Sequence, residues 1–293
     1  MHESVMVAET VEALAPARGG LFLDCTVGSG GHAVALLRAG ASRLIGLDRD
    51  PEALARAAET LAPFADRVEL VHSDYRDAPA VLARRGIAAV DGALADLGVS
   101  SMQLDEAGRG FSFRRDEPLD MRMDRSQGPT AADVLRDVEE GELADVIFQF
   151  GEERFSRRVA RAIVAARRAG PVTTTGRLAE IVRRAIPSRG RQRIDPATRT
   201  FQALRIWVNR ELDGLDTFLE NMVRLLSVGR RFAVISFHSL EDRIVKHTFR
   251  ALVGGTGGGL RLLTKRPVQP SDAEIARNPR SRSAKLRAIE RLA

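Results

Sequence analysis

Short apolar runs alternate with amphipathic stretches through the first third of the chain. Gly20-Leu-Phe-Leu-Asp24, Leu44-Ile-Gly-Leu-Asp48, Val68-Glu-Leu-Val-His-Ser73 and residues 90–97 are brief, apolar and bounded by turn residues, the pattern of strands covered on both faces. Between them, residues 32–38, 52–61 and 78–85 repeat apolar positions at helical spacing. Strand alternating with helix predicts a doubly wound α/β sheet. The alternation stops at Gly98. Residues 104–209 are charged, with helical segments at 130–135, 140–150, 156–168 and 176–186 and no convincing strand, which predicts an inserted all-α domain. Val159, Ala162, Ile163 and Ala166 would belong to its core. Phe201, Leu204, Val208, Leu212 and Leu215 continue at helical spacing and predict one long helix leading back to the sheet. The sheet resumes at 231–237, is followed by a helix at 240–253, and ends with strands near 260–263 and 286–292. The sheet domain therefore comprises 1–103 and 210–293, with 104–209 inserted. The glycine tract 254–259 reads as a loop and not a phosphate cradle, since no Lys-Ser/Thr follows it.

The first strand runs into Asp24-Cys-Thr-Val-Gly-Ser-Gly-Gly-His32, and Asp48 closes the second. Gly28, Gly30 and Gly31, at a strand-to-helix turn, let a ligand approach the backbone without meeting a Cβ. Gly28-Ser-Gly-Gly-His-Ala33 also fits a dinucleotide fingerprint, with Asp48 where a ribose carboxylate belongs. Asp24 shifts the reading. A carboxylate inside the strand accepts hydrogen bonds from the ammonium of a bound amino acid but repels a pyrophosphate. S-adenosylmethionine is thus favoured over a nicotinamide cofactor, with Asp24, Gly28, Gly30, Gly31, His32 and Asp48 as candidate contacts. Asp74 and Tyr75, after the third strand, offer a carboxylate for an exocyclic amine and a face for adenine. The plainer readings make Tyr75 a rim residue and Asp48 a helix cap.

Composition narrows the picture. A chain of 293 residues suffices for one large domain and a smaller one. Cys25 is the single cysteine and the five histidines (2, 32, 72, 238, 247) show no ligand spacing, so neither disulfide nor structural metal is expected. No apolar run approaches the roughly 20 residues of a membrane span. The polar opening Met1-His-Glu-Ser4 does not read as a signal peptide, and a cytoplasmic location is expected. The net charge of +6 permits a polyanionic partner, and position says more than the total. Arg183, Arg184, Arg189, Arg191, Arg193 and Arg199 crowd one stretch, the best candidate for gripping phosphates against the plainer reading of a solvated basic loop.

Longer blocks now matter: Asp48-Arg-Asp-Pro51, Asp96-Leu-Gly-Val-Ser-Ser-Met-Gln-Leu-Asp105, Arg109-Gly-Phe-Ser-Phe113, Pro118-Leu-Asp-Met-Arg-Met-Asp124, Gly151-Glu-Glu-Arg-Phe155, Pro196-Ala-Thr-Arg-Thr-Phe-Gln-Ala-Leu-Arg-Ile-Trp-Val-Asn209 and Ser236-Phe-His-Ser-Leu-Glu-Asp-Arg243. With the glycine run they closely resemble the RsmH (MraW) family, bacterial enzymes that methylate N4 of a cytosine in small-subunit (16S) ribosomal RNA. The resemblance spans essentially the whole chain. It implies a class I S-adenosylmethionine-dependent methyltransferase, Rossmann-like, with a helical insert for substrate recognition. It also implies cofactor contacts at Gly30, Gly31, His32, Asp48, Tyr75, Asp96 and Gln103, and a ribosomal RNA partner within an assembled or assembling small subunit. Monomer and homodimer both stay open. Ser4 departs from the family's usual proline, and Tyr75 from its frequent phenylalanine.

The amino nitrogen of cytosine is a poor nucleophile because its lone pair is delocalised into the ring, so catalysis would rest on positioning and acceptance of a proton. Asp96 is the candidate acceptor, although Asp96-Leu-Gly-Val replaces the Pro-Pro-aromatic motif common in DNA N4 methyltransferases. Ser236 and His238, with Glu241, are candidates for contacting the base; for His238 a helix-start role is equally open. Cys25, within the first strand, reads as a buried small residue and not as the nucleophile that C5 methylation needs. Trp207 reads as a junction residue more than a stacking one. Two rivals stand beside the methyltransferase: a nicotinamide dehydrogenase, disfavoured by Asp24, and a ribosome-assembly factor with a decayed cofactor site, disfavoured by the intact Gly30-Gly-His32, Asp48 and Asp96.

Overall fold

The computed structural model describes residues 4–187, 194–255 and 257–293, apart from the side chains at 101 and 102. Two compact units emerge: Met1–Gly98 with Asp213–Ala293, and Val99–Leu212. In the first, the strands are β1 (Leu21–Asp24), β2 (Arg43–Asp48), β3 (Val68–His72), β4 (Val90–Asp96), β5 (Leu226–Ser236), β6 (Leu260–Leu262) and β7 (Lys285–Arg291). They form one sheet in the order β3-β2-β1-β4-β5-β7-β6. β1 to β5 run parallel, and β7 is antiparallel to both neighbours. This is the expected doubly wound α/β fold.

Period-two alternation explains how short apolar strands fill both layers. Phe22, Leu44 and Leu94 point into one core with Leu36, Leu37 and Leu61 from the helices, while Leu23, Ile45 and Ala95 point into the other with Leu82, Phe218 and Phe249. Gly92 of β4 has a specific reason to lack a side chain, because a Cβ there would stand 2.2 Å from the Phe22 ring.

The single long helix expected across 201–215 is replaced by two. Helix Ala197–Asn209 ends at Arg210 (φ 51°), and helix Leu215–Arg224 starts behind Gly214 (φ 64°). Both left-handed residues turn the chain where helical spacing alone suggested continuity. In the second helix Leu215, Phe218, Leu219, Met222 and Val223 are all buried, so it is a layer of the sheet unit. Helices Val7–Leu14 and Asp272–Arg277 were not anticipated from the pattern, and β5 begins at Leu226, earlier than 231. No helix among the described residues is long and apolar enough to cross a membrane.

The second unit contains helices Ser101–Asp105, Ala131–Asp137, Glu140–Gly151, Ser156–Ala169, Thr175–Ala185 and Ala197–Asn209. Val159 and Ile163 sit in its core with Leu143, Ile147, Leu178 and Phe201, and Trp207 packs half-buried against it.

Candidate active site

In a doubly wound sheet the strand order reverses between β1 and β4, and the connections leave to opposite faces, opening a crevice at their C-terminal ends. Asp24 ends β1 and Asp96 ends β4. Thr26 stitches them together: its N–H donates to Asp24 Oδ1 at 3.2 Å, and its Oγ1 accepts from the Asp96 N–H at 2.7 Å. The chain then turns through Gly28 (φ 52°) and Gly30 (φ 88°) into helix Gly31–Arg38, whose first turn carries His32. His32 Nε2 lies 3.5 Å from Asp96 Oδ2. From β2, Asp48 accepts from the Gly28 N–H at 2.8 Å and from the Asp50 N–H at 2.9 Å. Asp48 is therefore not the helix cap; Asp50 is, accepting from the Glu52 N–H at 3.0 Å.

The electrostatics at these strand ends are unusual. Asp24 is fully enclosed, and burial raises its carboxyl to about 7 against the pull of His32 and the Thr26 N–H. Burial likewise lifts Asp48 to about 6 despite its two backbone donors. Burial opposes a charge on His32, yet Asp96, Asp24 and Glu274 together raise its pKa. Asp24 Oδ2, His32 Nε2 and Asp96 Oδ1 are buried without a hydrogen-bond partner. Unpartnered buried carboxylate oxygens beside a glycine turn fit a ligand carrying an ammonium and hydroxyls. Asp48, each oxygen already holding one N–H, keeps lone pairs for a ribose diol.

Tyr75 follows β3 and is not a rim residue. It is buried, with its ring edge-on to Phe218 at 4.6 Å and the Arg76 guanidinium over it at 5.6 Å. At Asp74, Arg76 engages both carboxylate oxygens at 2.7 Å. Burial would raise the Asp74 carboxyl, but Arg76 and Arg49 hold it below the usual range. Cys25 is buried, and that burial pushes its thiol up, which suits an inert core residue. At the end of β5, buried Ser236 donates to the Lys285 carbonyl at 3.4 Å. His238 Nε2 stands 3.1 Å from Glu241 Oε1, while Glu241 Oε2 accepts from the Phe237 N–H at 3.0 Å.

The sequence profile of the MraW methylase family matches residues 1–292 of this chain. The chain belongs to the MraW methylase family. It is 52% identical, over 99% of its length and 90% of the relative's, to the ribosomal RNA small subunit methyltransferase H of Nitrobacter winogradskyi. With the protein of the same name from Anaeromyxobacter sp. (strain K) it shares 53% identity over 99% and 98% of the two chains. Among solved structures, a putative rRNA-methylase from Clostridium thermocellum is similar with a TM-score of 0.46 at 11% identity, each chain covered in full. The cofactor of this methylase is S-adenosylmethionine.

Several MraW-family blocks prove to be packing devices within the second unit. Asn209 Oδ1 accepts from the Met123 N–H at 2.7 Å and its Nδ2 donates to the Met121 carbonyl at 2.7 Å. Buried Arg109 donates to the Met123 carbonyl at 2.9 Å. Gly151 lets two helices touch, since a Cβ there would lie 2.6 Å from the Arg199 carbonyl. Gln103 belongs to this unit, its Oε1 accepting from the Ser100 N–H at 3.0 Å. Of the expected phosphate-binding arginines, Arg189, Arg191 and Arg193 lie outside the described residues. Arg199 is exposed and reaches the Glu152 carbonyl at 3.2 Å; Arg183 is held bidentately by Asp195, and Arg184 pairs with Glu180. Sequence reasoning overlooked exposed Arg157, Arg158 and Arg168 on helix Ser156–Ala169, which its helical periodicity would have revealed.

Proposed function

We propose that this chain methylates the N4 amine of a cytosine in the decoding region of small-subunit ribosomal RNA by direct in-line transfer, without a covalent enzyme intermediate. Relatives sharing half of its residues are named as small-subunit ribosomal RNA methyltransferases. The observation that carries the reading is the set of buried, unpartnered atoms Asp24 Oδ2, His32 Nε2 and Asp96 Oδ1 at the sheet's switch point, in a chain of this family. S-adenosylmethionine supplies a methyl group activated on a sulfonium. Asp24 would take its ammonium, Asp48 its ribose hydroxyls, Gly28, Gly30, Gly31 and His32 would line its approach, and Tyr75 would complete its contacts within the sheet unit.

Attack by N4 leaves a proton to be removed. Asp96 carries a buried oxygen with no donor of its own, the property an acceptor of that proton needs. Ser236, His238 and Glu241 would orient the base. A cytosine in folded RNA must be splayed out to enter such a site. The helical unit would hold the surrounding RNA through Arg199, Arg189, Arg191 and Arg193, supported by Arg157, Arg158 and Arg168. The setting is the cytoplasm, with an assembled or assembling small subunit as substrate.

The test is nucleoside mass spectrometry on subunits lacking the modification, after incubation with protein and methyl-labelled cofactor. Labelled N4-methylcytidine is the expected product; label on another base overturns the assignment of N4. For Asp96→Asn, turnover should fall about a hundredfold with S-adenosylhomocysteine affinity retained. Normal turnover in that variant removes Asp96 from the proton's path.

A further inference from the structure

Residues 4–6 and the distant Glu274 come together beside the glycine turn. Ser4 lies against Gly31 so closely that a Cβ on Gly31 would stand 2.1 Å from Ser4 Oγ. Val5 and Met6 follow, both buried in the core with Phe22, Val27 and Ala33. Met6 holds a left-handed conformation (φ 55°) that a side chain disfavours. What fixes it comes from far along the sequence: the Met6 N–H donates to Glu274 Oε1 at 2.8 Å. Glu274 is itself buried, on helix Asp272–Arg277, where its own N–H donates to the capping Ser271 Oγ at 3.2 Å. A carboxylate taken from water to accept from a distant N–H is costly unless the contact matters.

We infer that Glu274 is a positioning residue for the cofactor turn: its carboxylate clamps the opening segment of the chain over Gly31, and so holds Gly31 and His32 in binding geometry. The inference rests on the reading of this turn as the cofactor site. The clamp leaves a second mark, since Glu274 joins Asp96 and Asp24 among the groups that favour a protonated His32. Without the clamp, residues 4–6 lose the bond that fixes their direction, and the wall of the turn formed by Ser4 loosens. Cofactor affinity should then fall while the chemistry of a bound complex persists.

The experiment compares Glu274→Ala, Glu274→Gln and the exposed neighbour substitution Asp272→Asn in the full chain. S-adenosylhomocysteine affinity is measured by calorimetry, Tm by melting, and amide hydrogen exchange at residues 6, 10 and 31–34 without ligand. Glu274→Ala should weaken binding about tenfold and speed exchange at 31–34, and the loss should appear in cofactor KM and not in kcat. Glu274→Gln keeps an acceptor for the Met6 N–H and should stay within about threefold of wild type, as should Asp272→Asn. Wild-type affinity and exchange in Glu274→Ala overturn the clamp. Equal losses in the Ala and Gln variants overturn it too, by pointing to charge alone, and so does a loss of affinity that merely tracks Tm with no change at 31–34. Failure of the underlying reading looks different: Asp48→Asn would then bind S-adenosylhomocysteine as wild type does, while faster exchange at 31–34 in Glu274→Ala would still report the clamp.

Discussion

Two clusters of buried polar groups, one in each unit, are used in opposite ways. In the sheet unit, Asp24, His32 and Asp96 keep enclosed atoms without partners at the ends of β1 and β4. In the helical unit, Asn209 uses its amide on two backbone groups of the 121–123 loop and a third on its own helix, and buried Arg109 donates to the same loop. The open atoms cost stability and stand ready for a ligand; the Asn209 bonds supply stability by satisfying buried backbone groups. Their substitutions should therefore move stability in opposite directions.

The largest effect is expected at Asp24. Its folded pKa of about 7 stands above the unfolded value of 3.8, so the native carboxyl keeps a proton that the unfolded chain has released. Stability without ligand should fall as pH rises between those two values and level off above the upper one. Asp24→Asn removes its own share of that slope, adding up to about 4 kcal/mol at pH 8 and nothing near pH 4, while the share from Asp48 remains. Cofactor affinity should drop at least about a hundredfold, since the ammonium loses its charged acceptor. Urea unfolding across pH, beside calorimetry with S-adenosylhomocysteine, checks both halves. A variant no more stable than wild type at pH 8 would erase the contrast between the units.

Asn209→Ala should act in the other sense. It leaves the Met123 N–H and the Met121 carbonyl without their partner, in a loop already bent through Met121 (φ 64°). A loss of about 3 kcal/mol is expected for two buried groups. Hydrogen exchange should rise across 119–124, and S-adenosylhomocysteine affinity should stay within about twofold of wild type. Unchanged exchange there would make the Asn209 network dispensable.

The same contrast explains what was legible in the sequence. Strand periodicity, the glycine turn and Asp48 can be read along the chain because each depends on neighbours a few residues away. Asp24 stood out through charge inside an apolar strand. The bond from Met6 to Glu274 spans 268 positions and leaves no local trace. The break after Asn209 was hidden because Leu212 and Leu215 keep helical spacing while Arg210 and Gly214 turn the backbone. The blocks around Arg109, Met121 and Asn209 were visible as motifs, but their packing role needed three dimensions.

Arg199 gives the smallest and most discriminating effect, because it belongs to both descriptions. Its guanidinium is half exposed, as a phosphate contact requires, yet it also donates to the carbonyl of Glu152, a residue in the left-handed conformation that ends helix Glu140–Gly151. If RNA contact dominates, Arg199→Ala should weaken RNA binding about threefold to tenfold and lower the slope of log K against log salt by about one, while Arg199→Lys keeps the slope. If the helix end dominates, both substitutions lower Tm by a few degrees and leave the slope alone, because Lys cannot reproduce the planar donor. The proposal for the helical unit requires the first result. An unchanged slope in Arg199→Ala would confine this residue to closing its own unit, and would shift the grip on RNA to Arg157, Arg158 and Arg168.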